Sequence, residues 1–201
     1  MTATTKDLEH LVRTAASCGA IKARAILASS IVMDPRVELK CRVPLCPNYG
    51  RNLTCPPHVM SPDRFAQVLG RYSHAILVQK EYAWDSLREK MKGATFQQLE
   101  SSPEYQKMMR VMFKDFLSLM STMESESMKL GYRFSAALVG GPCCLCDECA
   151  GPGEKCRHTM QARPSMEAMG IDVMATAASA QMPIPYPATE SAILTGVLLV
   201  E

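Results

Sequence analysis

Hydrophobic and polar positions along the chain alternate between helical and strand periods. Leu8, Leu11, Val12 and Ala15 lie at helical spacing between Asp7 and Cys18, and Gly19 follows as a stop. Residues 20–41, "AIKARAILASSIVMDPRVELKC", are rich in small and β-branched residues and predict a strand pair around Asp34-Pro35. "SPDRFAQVLGRY" opens with a Ser-Pro-Asp start signal and predicts a short helix, and "HAILVQKEY", residues 74–82, predicts a buried strand. From Glu104 to Leu130 the period is helical again. Tyr105, Met108, Met112, Phe116, Leu119 and Met123 form one stripe, with Met109, Phe113, Leu117 and Met120 beside it. Such a stripe fits a core-facing helix filled with adaptable side chains.

"YRFSAALVG" (132–140) predicts another strand, "RPSMEAMG" and "DVMATAASAQM" short helices, and "AILTGVLLV" (192–200) a last strand. The expected fold is α/β: a single domain over residues 1–201 with a central mixed sheet and flanking helices. Residues from about 84 to 130 would be a helical, Met-rich insertion between strands. Two cysteine-rich loops are expected to bind metal.

Composition narrows the function classes. Hydrophobic residues make up 47% of the 201, and the formal net charge of +2 offers no footprint for nucleic acid. No apolar run approaches the length that spans a bilayer, and the N-terminal stretch carries Asp7 and Glu9 where a signal peptide needs an apolar segment. The expectation is therefore a cytoplasmic protein with no membrane partner. Nine cysteines, an odd number, suit free or metal-bound thiols better than a disulfide framework.

The cysteines fall into two groups. In "GGPCCLCDECAGPGEKCRH" (140–158), Cys143, Cys146 and Cys149 recur every third residue and Cys156 follows. A C-x2-C-x2-C loop can wrap three corners of a [4Fe–4S] cube, with a more distant cysteine on the fourth. Zinc ordinarily takes two separated C-x2-C pairs, so it stands as the alternative. Cys144 is a spare thiol: a bystander, an alternative ligand, or part of a second site. In the other group, Cys41, Cys46 and Cys55 lie in a Pro/Gly/Asn-rich loop and suggest a second metal centre. Its fourth ligand would be Cys144, His58 or something external. Arg36, Lys40, Arg42 and Arg51 flank this first group, while Lys155, Arg157, His158 and Arg163 flank the second, as an anionic cluster would favour.

With both loops in view, the sequence resembles domain-of-unknown-function family 2284, described as predicted metal-binding proteins. The resemblance rests on "LKCRVPLCPNYGRNLTCPPH", "GGPCCLCDECAGPGEKCRH" and "ARPSMEAMGIDV", and runs from about residue 20 to the end. It implies metal binding, iron–sulfur above all, at Cys41, Cys46, Cys55, Cys143, Cys146, Cys149 and Cys156. Cys144 departs from the family pattern.

Three functions compete on these residues. One is a redox module with one or two clusters and a partner protein. Another is an enzyme using open iron at the three-cysteine group on a small-molecule substrate. The third is a structural zinc protein. No nucleophile–base motif, phosphate loop or dinucleotide fingerprint is present. His58 and His158 are candidate proton donors or backbone partners, and Glu167 is a helix-surface or capping residue.

Overall fold

The computed structural model describes residues 3–83, 93, 95, 98, 101–186 and 191–201. Most of the expected insertion before residue 101 lies outside those residues.

Local signals start the helices where the sequence places them. Helix α1 (Thr5–Ser17) is capped by Thr4, whose hydroxyl accepts the Asp7 N–H. The chain then enters strand β1 (Lys22–Leu27). The second strand expected around Asp34-Pro35 does not form. Asp34 accepts the Arg36 N–H and Pro35 occupies the first helical position, so a 3-10 turn (Pro35–Glu38) begins and leads into a one-turn helix α2 (Leu39–Arg42). Helix α3 (Pro62–Leu69) is capped by Ser61. Strand β2 (His74–Ala83) follows.

The long helix α4 (Pro103–Lys129) starts with Ser102 accepting the Tyr105 N–H and Pro103 in the first turn. Its buried face holds Met112, Phe113, Phe116, Leu117, Leu119, Met120 and Met123, so the methionine-rich stripe is core. Strand β3 (Ala136–Val139) is shorter than expected. Tyr132 is fully buried, with its hydroxyl donating to Asp7 and accepting from the Thr4 N–H, and this holds residues 132–135 in a turn. A 3-10 turn (Glu167–Met169), helix α5 (Val173–Ser179) and strand β4 (Ser191–Val200) complete the chain.

The sheet order is β1-β2-β4-β3. These strands pair antiparallel throughout, with Ile76 opposite Leu198 and Leu138 opposite Val197. The parallel component of the expected mixed sheet is confined to a single bridge between Val139 and Ser165. Each face carries its own core. Ile76, Val78, Leu198 and Val200 pack under α1 and α4, while Leu77, Val197 and Leu199 pack under α3 and α5. Layering of helices on both sheet faces is the α/β architecture expected. Gly196, in the middle of β4, leaves no room for a β-carbon, which would sit 2.9 Å from the Leu138 carbonyl and 3.1 Å from Met120 and Phe116. Among the described residues no helix is long and apolar enough to cross a membrane.

Candidate functional site

Both cysteine loops emerge at one end of this sandwich. The first runs from α2 to α3, and the second follows β3. The turn that launches the second loop is built on Gly140 and Gly141. Gly141 has φ +85°, and a β-carbon there would stand 2.8 Å from the Phe113 ring of α4, so glycine alone fits without displacement. The Glu167 carboxylate fastens this turn by accepting the Gly141 N–H (3.0 Å) and the Ser165 hydroxyl (2.7 Å). Glu167 is thus a backbone clamp, in keeping with a capping role but at a loop instead of a helix end.

The loops are stitched to each other. Asn52, only 6% exposed, donates its Nδ2 to the Cys143 carbonyl (2.9 Å), while its Oδ1 accepts from both the amide and the hydroxyl of Thr54. The Leu53 N–H points at Cys149 Sγ (3.5 Å), and the Thr54 carbonyl accepts from the Ser165 N–H (3.3 Å). Farther along, Arg163 pairs with Glu124 of α4, whose other oxygen accepts the edge N–H of Ala137 (3.0 Å). Both side chains of that pair are largely buried.

The thiols themselves do not converge as the sequence suggests. All nine are free. Among the described residues, no group of three or more His, Cys, Asp or Glu side chains is gathered so that it could hold a metal ion. This overturns the expected [4Fe–4S] cluster at Cys143, Cys146, Cys149 and Cys156. It equally overturns the second centre at Cys41, Cys46 and Cys55, and the zinc alternative. With them go the iron–sulfur redox module, the open-iron enzyme and the structural zinc protein. As placed, the donor set is not gathered for a metal, and several sulfurs meet backbone groups. Cys149 accepts from Leu53 and Cys156 from the His158 N–H (3.4 Å), while the Cys144 thiol donates to the Pro142 carbonyl (3.6 Å).

Sequence neighbours remain spatial neighbours all the same. Cys41, Cys46 and Cys55 lie near enough to influence one another electrostatically, and Cys143 feels Cys144, Cys146 and Cys156, while Cys55 also feels Cys143. Burial dominates where it is deepest. It pushes the Cys55 thiol up to about 12 and Cys143 up to about 11, and raises Cys41 and Cys144 as well.

Three of the flanking positive charges are paired with acids. Arg36 pairs with Asp34, and Arg42 pairs with Glu38 while lying over the Tyr49 ring at 5.4 Å. Arg163 serves Glu124.

Between the second loop, residues 47–54 and the N-terminal half of α4 lies an open cleft of about 900 Å³. Cys143, Cys144, Cys146, Cys149 and Cys156 line it, opposite an apolar wall of Met109 and Phe113. Arg51, Arg110, Arg157 and His158 bring positive and polar groups to the same space. Arg110 pairs with Asp147 across the mouth, and Arg157 donates to the Glu148 carbonyl (2.9 Å). Arg51 has no side-chain partner among the described residues. His58 is exposed on the first loop and is not part of this lining. Asn52, Glu124 and the clamp formed by Glu167 are not among the residues the cysteine spacing marked.

Fold and site together define an α/β domain with a thiol-lined cleft at one end of its sheet. The family described as "Predicted metal-binding protein" (DUF2284) matches residues 24–200, and the chain belongs to it. Comparison with curated proteins and with solved structures finds no match.

Proposed function

We propose that the protein binds a small molecule in the cleft between α4 and the second cysteine loop and engages it through free thiols. The observation that carries this reading is the composition of the cleft wall: five cysteines, an apolar face and several cationic groups around about 900 Å³. That volume is within the range of small-molecule sites, and a few convergent polar groups on an apolar lining are their usual make-up. Cys143, Cys146, Cys149 and Cys156 are the working residues in this proposal. Nine thiols without a disulfide suit a reducing compartment, so we place the protein in the cytoplasm.

The test is native-state alkylation of the purified protein with N-ethylmaleimide, mapped cysteine by cysteine by mass spectrometry, beside elemental and sulfide analysis. The expected result is ready labelling of the wall cysteines in the folded protein. Wall thiols that open only on unfolding would overturn the reading, and so would stoichiometric iron, zinc or acid-labile sulfide.

A further inference from the structure

The two edges of the sheet end differently. In an antiparallel ladder, alternate residues turn their backbone N–H and C=O groups to opposite sides of the strand. On β3 the outward groups belong to Ala137 and Val139, and the chain caps them itself. The Ala137 N–H goes to Glu124 (3.0 Å) and the Val139 N–H to the Pro164 carbonyl (3.1 Å), while the Val139 carbonyl accepts the Met166 N–H (2.8 Å). On β1 the alternation is set by Ala28, whose N–H turns inward to the Ser73 carbonyl (3.1 Å), in step with the Leu27–His74 pairing. Ala23, Ala25 and Leu27 therefore direct their backbone groups away from β2. Among the described residues no hydrogen bond meets them.

This edge has few of the devices that discourage strand addition. It runs for six residues, contains no proline, and is flanked by Ile21 at 46% and ends on Leu27 at 56% exposure. Arg24, near its centre, is held aside by Gln181 Oε1 (2.7 Å). Beside the edge, α1 presents a shallow strip of Leu8, Glu9, Val12 and Arg13 next to Ala25. Glu9 and Arg13 are largely exposed there and carry opposite charges one turn apart.

The geometry points to a second copy of this chain as the partner of this edge: β1 pairs antiparallel with β1 of the copy about a two-fold axis at Ala25, and the two four-stranded sheets join into one. With Ala25 opposite itself, outward groups meet outward groups. Ala23 then lies opposite Leu27 and Arg24 opposite Ile26, so no like charges face each other. An axis at Arg24 would set two arginines opposite each other, and one at Ile26 would pair only residues 25–27. The same axis runs α1 antiparallel to its copy, where each Glu9 can meet the other chain's Arg13, the reciprocal pairing of an isologous contact. The contact lies at the sheet edge opposite β3, whose following loop lines the cleft.

Two measurements on the purified full chain test this: molar mass by light scattering over about a hundredfold range of concentration, and amide hydrogen exchange resolved at residues 23–27. The expected result is a species of twice the 22.1 kDa chain mass, with exchange at Ala23, Ala25 and Leu27 slowing as it forms. Ala25→Pro removes an N–H that β2 does not use, so the folded chain should keep its ladder and associate at least about tenfold more weakly. E9R and R13E should each weaken association, and E9R/R13E, which restores opposite charges, should recover it. If A25P fails to fold, the charge swap and the exchange data remain decisive. A chain that stays monomeric throughout would overturn the inference. So would a dimer whose three amides exchange freely, which puts the contact elsewhere, or a monomer that protects them, which gives the edge to another segment of the same chain. The cleft reading stands apart from all of these, because wall-thiol labelling should be the same with and without the contact.

Discussion

The two cysteine loops both carry several cysteines and prolines, and they face different surroundings. The first sinks Cys55 beneath its own turns, at 8% exposure, and its arginines Arg36 and Arg42 are occupied by the acids Asp34 and Glu38 two and four residues away. The second spreads Cys143, Cys146, Cys149 and Cys156 along the wall of an open cleft, and it is tied down at both ends by groups from elsewhere. Glu167 and Phe113 fix its entrance; Glu124 fixes its exit through Arg163. Cys55 is therefore mainly a packing element, while the second-loop thiols line the cleft. The difference lies in the long-range partners.

The strongest way to break this contrast is to cut the exit anchor. Glu124→Ala leaves the Arg163 guanidinium buried without its carboxylate and frees the edge amide of Ala137. Loss of one partner of a buried pair costs about 3–5 kcal/mol, which denaturant titration would read. The same variant should raise labelling of the second-loop cysteines while Cys55 stays protected. Labelling that rises equally in both loops would show that they are one unit.

Asn52→Ala cuts the stitch between the loops and leaves the Cys143 carbonyl and the Thr54 amide unsatisfied. Unsatisfied buried groups of this kind cost about 1–3 kcal/mol. Because the Leu53 N–H then loses its fixed position, the Cys149 labelling rate should change while that of Cys156 holds. Equal change at both would place Asn52 in general stability alone.

Alkaline pH acts on the same contrast with an effect that is absent at neutrality. The folded state keeps the Cys55 and Cys143 protons to about 12 and about 11, against an ordinary 9.0. The unfolded chain releases those protons first, so stability is unaffected well below pH 9 and falls as pH rises from there towards the folded-state values. Cys55→Ser removes one of the two groups and should flatten the decline measured by denaturant unfolding between pH 8 and 10.5. An unchanged slope would mean that Cys55 is less desolvated than its packing indicates.

Much of the fold could be read from periodicity. The α4 stripe was legible because Met112, Phe116, Leu119 and Met123 keep the helical period across several turns. Asp34-Pro35 misled because a Pro after an Asp cap starts a helical turn as readily as it separates strands. The cysteine spacing marked the loops correctly but carried no information on where each sulfur would point, since that depends on Leu53, His158 and Pro142 taking up individual thiols. Two of the missed residues did leave signals. Asn52 stands two before Thr54, the spacing of a side-chain-to-backbone turn, and Glu124 interrupts an apolar face beside Met120 and Met123.

The position of β4 has a consequence for how the molecule comes to exist. This strand follows the other three in the sequence yet lies between β2 and β3. During synthesis β1 and β2 can pair as a hairpin as soon as both have emerged, but β3 has no strand to join until β4 is made. Until then the apolar run from Ala75 to Val78 stands at an unpaired edge, a surface that invites chaperones or neighbouring chains. The site loops, both emitted before β4, must wait in the same unfinished state. Ribosome stalling before residue 191 should therefore yield a chain with protease-sensitive cysteine loops, and release of the final strand should close them together.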